Sequence, residues 1–160
     1  MRHQSDLQFR KSDYRDSRQF SYWLAIDDPS DGFGIQDVMT AWEYGPRDLI
    51  GQVYMVEKDG NPIGFVGLYN GSIKLRNGRR SVRASRRYLT PECRGKGYGD
   101  ELMAFIKVLA AEEGLTEIYA VTHEDNLPAQ KSLSKGCWSL TEKINFRMIY
   151  TLKLTDAAAS

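Results

Sequence analysis

Leu89-Thr90-Pro91-Glu92-Cys93-Arg94-Gly95-Lys96-Gly97-Tyr98-Gly99 is the stretch whose reading decides the fold. Residues 81–89 read as a strand, and after Gly99 the apolar spacing becomes helical, with Leu102, Phe105, Ile106 and Leu109 on one face. The segment is therefore a strand-to-helix turn. Glycines at alternate positions let backbone amides turn inward together with no Cβ in the way. A helix N-terminus adds unsatisfied N–H groups and the positive end of the helix dipole, a combination that suits a phosphate or diphosphate. Arg94 and Lys96 add formal positive charge at the rim. Two well-known phosphate loops fail on spacing. Gly95-Lys96 is followed by Gly97 and not by the Ser or Thr of a Walker loop. Gly97 and Gly99 are too close together for a Rossmann fingerprint.

Working outward, residues 7–10 alternate as a short strand, and Ser12 or Asp13 can cap a helix carrying Tyr14, Phe20, Tyr22, Trp23 and Leu24. Residues 27–32 form a loop, and Ile35, Val38, Met39 and Trp42 make a second helical stripe stopped by Gly45-Pro46. Residues 53–57 and 63–69 are strands around an Asp59-Gly60 turn, and Asn77-Gly78 precedes the next strand. Gly114 closes the long helix. A strand at 117–122 leads to a short helix at 126–135, with Pro128 in its first turn and Gly136 after its end. Strands at 138–142 and 146–154 finish the chain before a tail with nothing to pack. The order β-α-α-β-β-β-α-β-α-β-β predicts a mixed α/β (α+β) fold, a single sheet with helices packed on it.

At 160 residues the chain has the length of one domain. Its 41% hydrophobic and 27% charged residues sit near globular averages and argue against disorder, collagen-like repeats and membrane spanning. The net charge of +1 gives no global pull towards nucleic acid or anionic lipid. Two cysteines, Cys93 and Cys137, make neither a disulfide framework nor a CxxC pair and suit a reducing compartment. Residues 1–6 lack the apolar core of a signal peptide, so a cytoplasmic location is expected. With two histidines a His-rich zinc site is not expected, nor any metal.

Arg94-Gly95-Lys96-Gly97-Tyr98-Gly99 resembles the R/Q-x-x-G-x-G/A signature of the GNAT-type N-acetyltransferase superfamily. Asn126-Leu127-Pro128-Ala129 and Lys135-Gly136-Cys137-Trp138 resemble that family's later N-x-x-A/S and K-x-G-F segments. The resemblance runs over residues 53–154. It implies a mostly antiparallel sheet with a splayed central parallel strand pair and helices on both faces. It also implies one acetyltransferase-like domain over 1–160: an acceptor side at 1–52, a cofactor-binding core at 53–154 and a tail at 155–160. The implied function is acetyl transfer from acetyl-CoA, as co-substrate, directly to an amine of a small molecule or protein. The amides from Arg94 through Gly95, Lys96, Gly97 and Tyr98 to Gly99 would hold the diphosphate. Leu89 and Thr90 would offer backbone hydrogen bonds to the pantetheine arm, and Asn126 and Ser132 would contact the cofactor from the next helix.

The catalytic groups are less marked. The strand before the glycine turn shows Arg83, Ser85, Arg86 and Arg87 where some members place a glutamate. Glu92, His123, Glu124 and Asp125 are the nearest bases, with Glu124 favoured by its place at a strand end beside the cofactor helix. Many members carry a tyrosine seven residues after the asparagine; here that position is Leu133. Ser132, Ser134 or Tyr150 could stand in as proton donor, and Tyr150 is taken as the candidate acid. Cys137, with no histidine partner, reads as a small core residue.

Lys74, Arg76, Arg79, Arg80, Arg83, Arg86 and Arg87 form a basic stretch. Alternation puts Arg83, Ser85 and Arg87 on one strand face and Ala84, Arg86 and Tyr88 on the other. The stretch is either a cationic surface for an acidic partner or a solvated edge guarded by arginines. Two other functions compete with acetyl transfer: a CoA-binding or partner-binding module with reduced catalysis, and an arginine-patch nucleic-acid binder. No nucleic-acid motif supports the last, membrane is not an expected partner, and a homodimer is left open.

Overall fold

In the structure, a computed structural model, residues 6–26, 52–70 and 83–154 are described. They form β1 (Leu7–Lys11), a 3-10 turn (Tyr14–Asp16), α1 (Ser17–Ile26), β2 (Gln52–Lys58), β3 (Asn61–Asn70) and β4 (Arg83–Leu89). A second 3-10 turn (Pro91–Cys93) leads to α2 (Tyr98–Glu112), β5 (Glu117–His123), α3 (Leu127–Lys135), β6 (Ser139–Ile144) and β7 (Arg147–Lys153). The helical stripe at 35–42, the Asn77-Gly78 turn, the basic residues Lys74 to Arg80 and the tail lie outside the described residues.

One seven-stranded sheet runs β1-β2-β3-β4-β5-β7-β6. Every neighbouring pair is antiparallel except β4 and β5, which are parallel. Their register holds at a single pair, Ala84 opposite Tyr119. Helices cover both faces. Leu102, Met103, Ile106 and Leu109 of α2 and Leu133 of α3 bury against Val56, Val66 and Leu68. On the opposite face Phe20 and Trp23 of α1 bury against Val53, Met55 and Phe65. Each such side chain taken out of water contributes about 1.5–3 kcal/mol, so the two layers together fix how the sheet is held.

Local chemistry explains the boundaries. Asp13 accepts from the Arg15 amide while Asp16 reaches back to the Asp13 amide, a reciprocal cap that starts the chain as a 3-10 turn before α1. The buried stripe of α1 is Phe20 and Trp23, with Leu24 partly buried beside them, while Tyr22 is exposed. Asp59 and Gly60 both take positive φ (52° and 80°), as a two-residue hairpin of the primed type requires. At the end of α2, Gly114 has φ 72°. Its amide donates to Ala111 O while the Leu115 amide donates to Ala110 O, closing a Schellman motif.

The end of α3 departs from expectation. Gly136 has an ordinary φ of −82°, and the left-handed position falls on Cys137 at φ 71°. The Trp138 amide donates to Leu133 O and the Cys137 amide to Ser134 O, so the motif is that of α2 with cysteine at the glycine position. Cys137 is therefore an exposed, strained cap and not a core residue. A left-handed non-glycine residue costs about 1–2 kcal/mol, offset by the larger chain entropy glycine gives up. Cys137→Gly is expected to stabilise the protein by roughly 0.5–1 kcal/mol. That gain should appear as a melting temperature higher by about 1–4 °C; an unchanged or lower value would contradict the strain.

The arginine strand is not an edge. β4 is the fourth of seven strands, so its arginines do not guard against edge pairing. The face assignment by alternation holds. Arg83 turns to the α2 side and pairs with Glu113 at 2.9 Å, while Tyr88 lies on the α1 side against Phe65 and Trp23.

Candidate functional site

The single β4–β5 register pair creates the site. The Thr90 amide donates to Ile63 O at 2.9 Å, so Thr90 faces β3. In an antiparallel ladder direction alternates, and the N–H and C=O groups of Arg87 and Leu89 therefore face β5. Beyond Ala84 and Tyr119 the two strands have no further register pair, and these backbone groups border an opening between them. The Leu89 carbonyl accepts from Arg94 Nε at 2.9 Å, and the Arg94 guanidinium lies over the Tyr88 ring. Thr90 Oγ1 on β4's end and Thr122 Oγ1 on β5 are both buried with no hydrogen-bond partner among the described residues.

The glycine turn sits at the head of this opening. Gly95 (φ 75°) and Gly97 (φ 88°) occupy the left-handed region, and a Cβ added at either would meet nothing within 4 Å. Gly97 is the N-cap of α2 and supplies no side-chain cap, leaving the first amides of the helix open to a ligand. Gly99 differs: a Cβ there would lie at an ordinary 3.7 Å from Arg87 Nη1. That explains why alanine is allowed at the last position of the signature. Arg94 and Lys96 are exposed, and Tyr98 is partly buried with Lys58 over its ring. The cradle, its uncapped amides and the backbone edge of β4 fit an anionic head with a polar, extended arm.

On the other bank, Asn126 Oδ1 caps α3 by accepting from the Ala129 amide at 3.2 Å. Ser132 Oγ accepts from Arg87 Nη2 at 2.8 Å, and Arg87 Nη1 donates to Gly99 O at 3.3 Å. Arg87 thus bridges the first turn of α2 and the second turn of α3. Sequence reasoning counted it in the basic stretch and missed it as a site residue; its face parity was the available signal. Leu133 is buried in the core with Tyr150.

Glu124, at the end of β5, pairs with Lys143 on β6 at 2.6 Å. The Lys143 ammonium holds its carboxyl below the usual glutamate range, which keeps it ionised and lowers its basicity. The His123 Nδ1 lone pair accepts from the Asp125 amide at 3.1 Å, and its ring packs on Phe146. Tyr150 sits in β7 opposite Ala120, 4% exposed, on the α2–α3 side of the sheet. Glu92 is exposed in the Pro91–Cys93 turn. Among the described residues no three His, Cys, Asp or Glu side chains gather as a metal set, and no helix is long and apolar enough to cross a membrane.

The sequence profile of the acetyltransferase (GNAT) family matches residues 9–137. No curated protein matches the chain in sequence. Solved structures match in fold. Aminoglycoside acetyltransferase AAC(6')-Ib in complex with coenzyme A is 18% identical, with a TM-score of 0.73 over 92% of this chain and 94% of that one. An acetyltransferase from Thermus thermophilus is 13% identical, with a TM-score of 0.73 over 96% and 100%. The N-acetyltransferase PseH of Campylobacter jejuni in complex with acetyl coenzyme A is 13% identical, with a TM-score of 0.65 over 93% and 99%.

Proposed function

The chain belongs to the GNAT acetyltransferase family, and from that premise we propose that it moves an acetyl group from acetyl-CoA directly to an amine of a small molecule or a protein. The observation that carries this reading is the opening of β4 from β5 directly beneath the uncapped glycine turn. The diphosphate is assigned to the amides of Arg94 to Gly99, and the pantetheine arm to the backbone of Leu89, running as an added strand along β4. Thr90 lines the β4 end, and Asn126 and Ser132 face the cofactor from α3. Acetyl-CoA supplies an activated acyl thioester whose thiol, with an ordinary pKa near 8.5, leaves without a large penalty.

Glu124 is assigned to the acceptor mouth. Its carboxylate, ionised but a weakened base while paired with Lys143, is the candidate to take the amine's proton through water. Tyr150 and Ser132 are the hydroxyls on the cofactor face available to return a proton to sulfur. Residues 1–52 are assigned to the acceptor side, within one domain over 1–160, and the two free thiols suit a cytoplasmic setting. Calorimetry with acetyl-CoA, followed by thiol release across a panel of amines, tests the reading. Saturable binding and amine-dependent release of CoA are expected. No binding at millimolar acetyl-CoA would reject it.

A second reading, a CoA-binding module with reduced catalysis, is favoured by the Glu124–Lys143 pair and by Leu133 lying in the core. Binding without turnover on any amine selects it.

A further inference from the structure

Arg87 holds a positive charge between α2 and α3. Among the described residues its guanidinium has two acceptors, the Gly99 carbonyl and Ser132 Oγ, both neutral. No carboxylate hydrogen-bonds it among the described residues. Burial pulls its pKa below the ordinary arginine value, opposed by the charge of Asp100. Asp100 itself is exposed and lies 4.0 Å from Lys135 across the groove between α2 and α3. An arginine remains protonated under these conditions. A positive charge is thus held between two helices without a matching negative one in hydrogen-bond contact.

Register gives its place along the cofactor path. Arg87 and Thr122 each lie three residues beyond the single register pair of Ala84 and Tyr119. Both lie on the α2–α3 face, one on each bank of the opening, and Thr122 Oγ1 is buried without a hydrogen-bond partner among the described residues. Along β4, Leu89 is nearer the glycine turn, and Arg87 is the next residue inward whose backbone faces β5. An arm that enters at the turn and pairs with Leu89 brings its far end to Arg87. On α3, Ser132 directly precedes Leu133, the position at which the family resemblance leads one to look for a tyrosine.

We propose that Arg87 stabilises the thiolate released when the acetyl thioester is broken, a role that rests on the acetyl-CoA reading above. The amine lone pair forms the new C–N bond to the acetyl carbon. The C–S bond breaks with its electron pair staying on sulfur, and the surplus proton on nitrogen passes to solvent. Sulfur then carries the negative charge. Arg87 takes it up by N–H···S hydrogen bonding and keeps its own proton, and the thiolate is protonated afterwards from water or from the hydroxyl of Tyr150 or Ser132. Ser132 holds the guanidinium in the groove. Arginine has only donors, so Ser132 accepts this bond and retains its hydroxyl proton. The cofactor's diphosphate is the other anion that could meet the same charge, and the test separates the two.

The thiol of CoA bound to the protein is titrated through its thiolate ultraviolet absorbance, against free CoA. A neighbouring cation lowers a thiol pKa. The bound thiol of the wild-type complex is expected about one unit or more below free CoA. Arg87→Met should return it to the free value, with Arg87→Lys between. In turnover, Arg87→Met should lower kcat by about 30-fold while the KM for acetyl-CoA moves less than about threefold. A bound wild-type thiol titrating at or above free CoA overturns the proposal. So does an Arg87→Met variant that weakens CoA binding and raises KM with kcat intact, which gives the charge to the diphosphate. The wild-type titration needs no variant to fold. Absence of CoA binding by the wild type defeats the acetyl-CoA reading and this proposal together, whereas binding with an unshifted thiol defeats this proposal alone.

Discussion

Gly64→Ala is expected to cost the fold about 3 kcal/mol, near the upper end for over-packing. A Cβ at this position would sit 2.0 Å from the Tyr88 carbonyl oxygen and 3.0 Å from its carbon, with Leu89 Cα at 3.2 Å. All three atoms are backbone, so no side chain can swing aside, and β3 and β4 must separate locally. Gly64 lies opposite Leu89 in the register, at the end of β4 that borders the opening. The substitution should therefore loosen the cofactor edge as well as the sheet. Urea unfolding should show a lower midpoint at unchanged slope, and the melting temperature should fall by roughly 6–12 °C. Gly67→Ala is the internal comparison. Its Cβ would meet Gln52 O at 2.5 Å, but Gln52 is the first residue of β2 and can shift, so roughly half the loss is expected. A Gly64→Ala cost below about 1 kcal/mol would mean that the strands part without resistance and that the close approach is incidental.

Much of this architecture is legible in the sequence because it is written in periods. The stripe Leu102, Phe105, Ile106 and Leu109 is a short-range pattern, and the structure turns it inward as read. The glycine turn is legible for the same reason: Gly95 and Gly97 need positive φ, and that need is local. What lies across a strand face is not local. Alternation correctly put Arg83 and Arg87 on one face, yet nothing in it places Glu113 opposite the first or Ser132 opposite the second, 30 and 45 residues away. Without those partners the arginines resembled a solvated edge, and the strand's central place overturned that. The ionic state of Glu124 was equally hidden, because Lys143 comes from a different hairpin.

Cys137 is an intermediate case. The sequence put Gly136 after the helix end and Cys137 in the core, and the structure puts the left-handed residue one position later, at Cys137. The Schellman geometry needs its left-handed residue at a fixed count from Leu133, and that count lands on Cys137 whatever its side chain. Tertiary packing of Leu133 and Trp138, both buried, holds the register of the helix end. The indole N–H of Trp138 donating to Met103 Sδ at 3.0 Å adds a further anchor to α2. The cap conforms to the core and bears the strain.

Gly97→Val is expected to reduce affinity for acetyl-CoA by about 100-fold while leaving a folded protein, because the two effects of the substitution fall on different partners. Within the protein, a Cβ at position 97 meets nothing within 4 Å, so the main cost expected is the backbone strain of φ 88°. That strain is about 1–2 kcal/mol, more for a branched residue. Against a ligand the same open space becomes the obstacle, since it lies over the uncapped first turn of α2. Losing one or two amide hydrogen bonds to a charged oxygen, at about 1.5–3 kcal/mol each, gives the stated factor. Gly99→Ala is the contrast. Its φ is not positive and its Cβ would make an ordinary contact with Arg87 Nη1, so affinity within about threefold of wild type is expected. Calorimetric titration of both variants, with melting curves run in parallel, separates the terms. If Gly97→Val and Gly99→Ala both bind acetyl-CoA within about threefold of wild type, the diphosphate does not lie on the glycine turn. Equal losses in both variants would instead mean that the turn senses general disruption of the α2 N-terminus and not the space above Gly97.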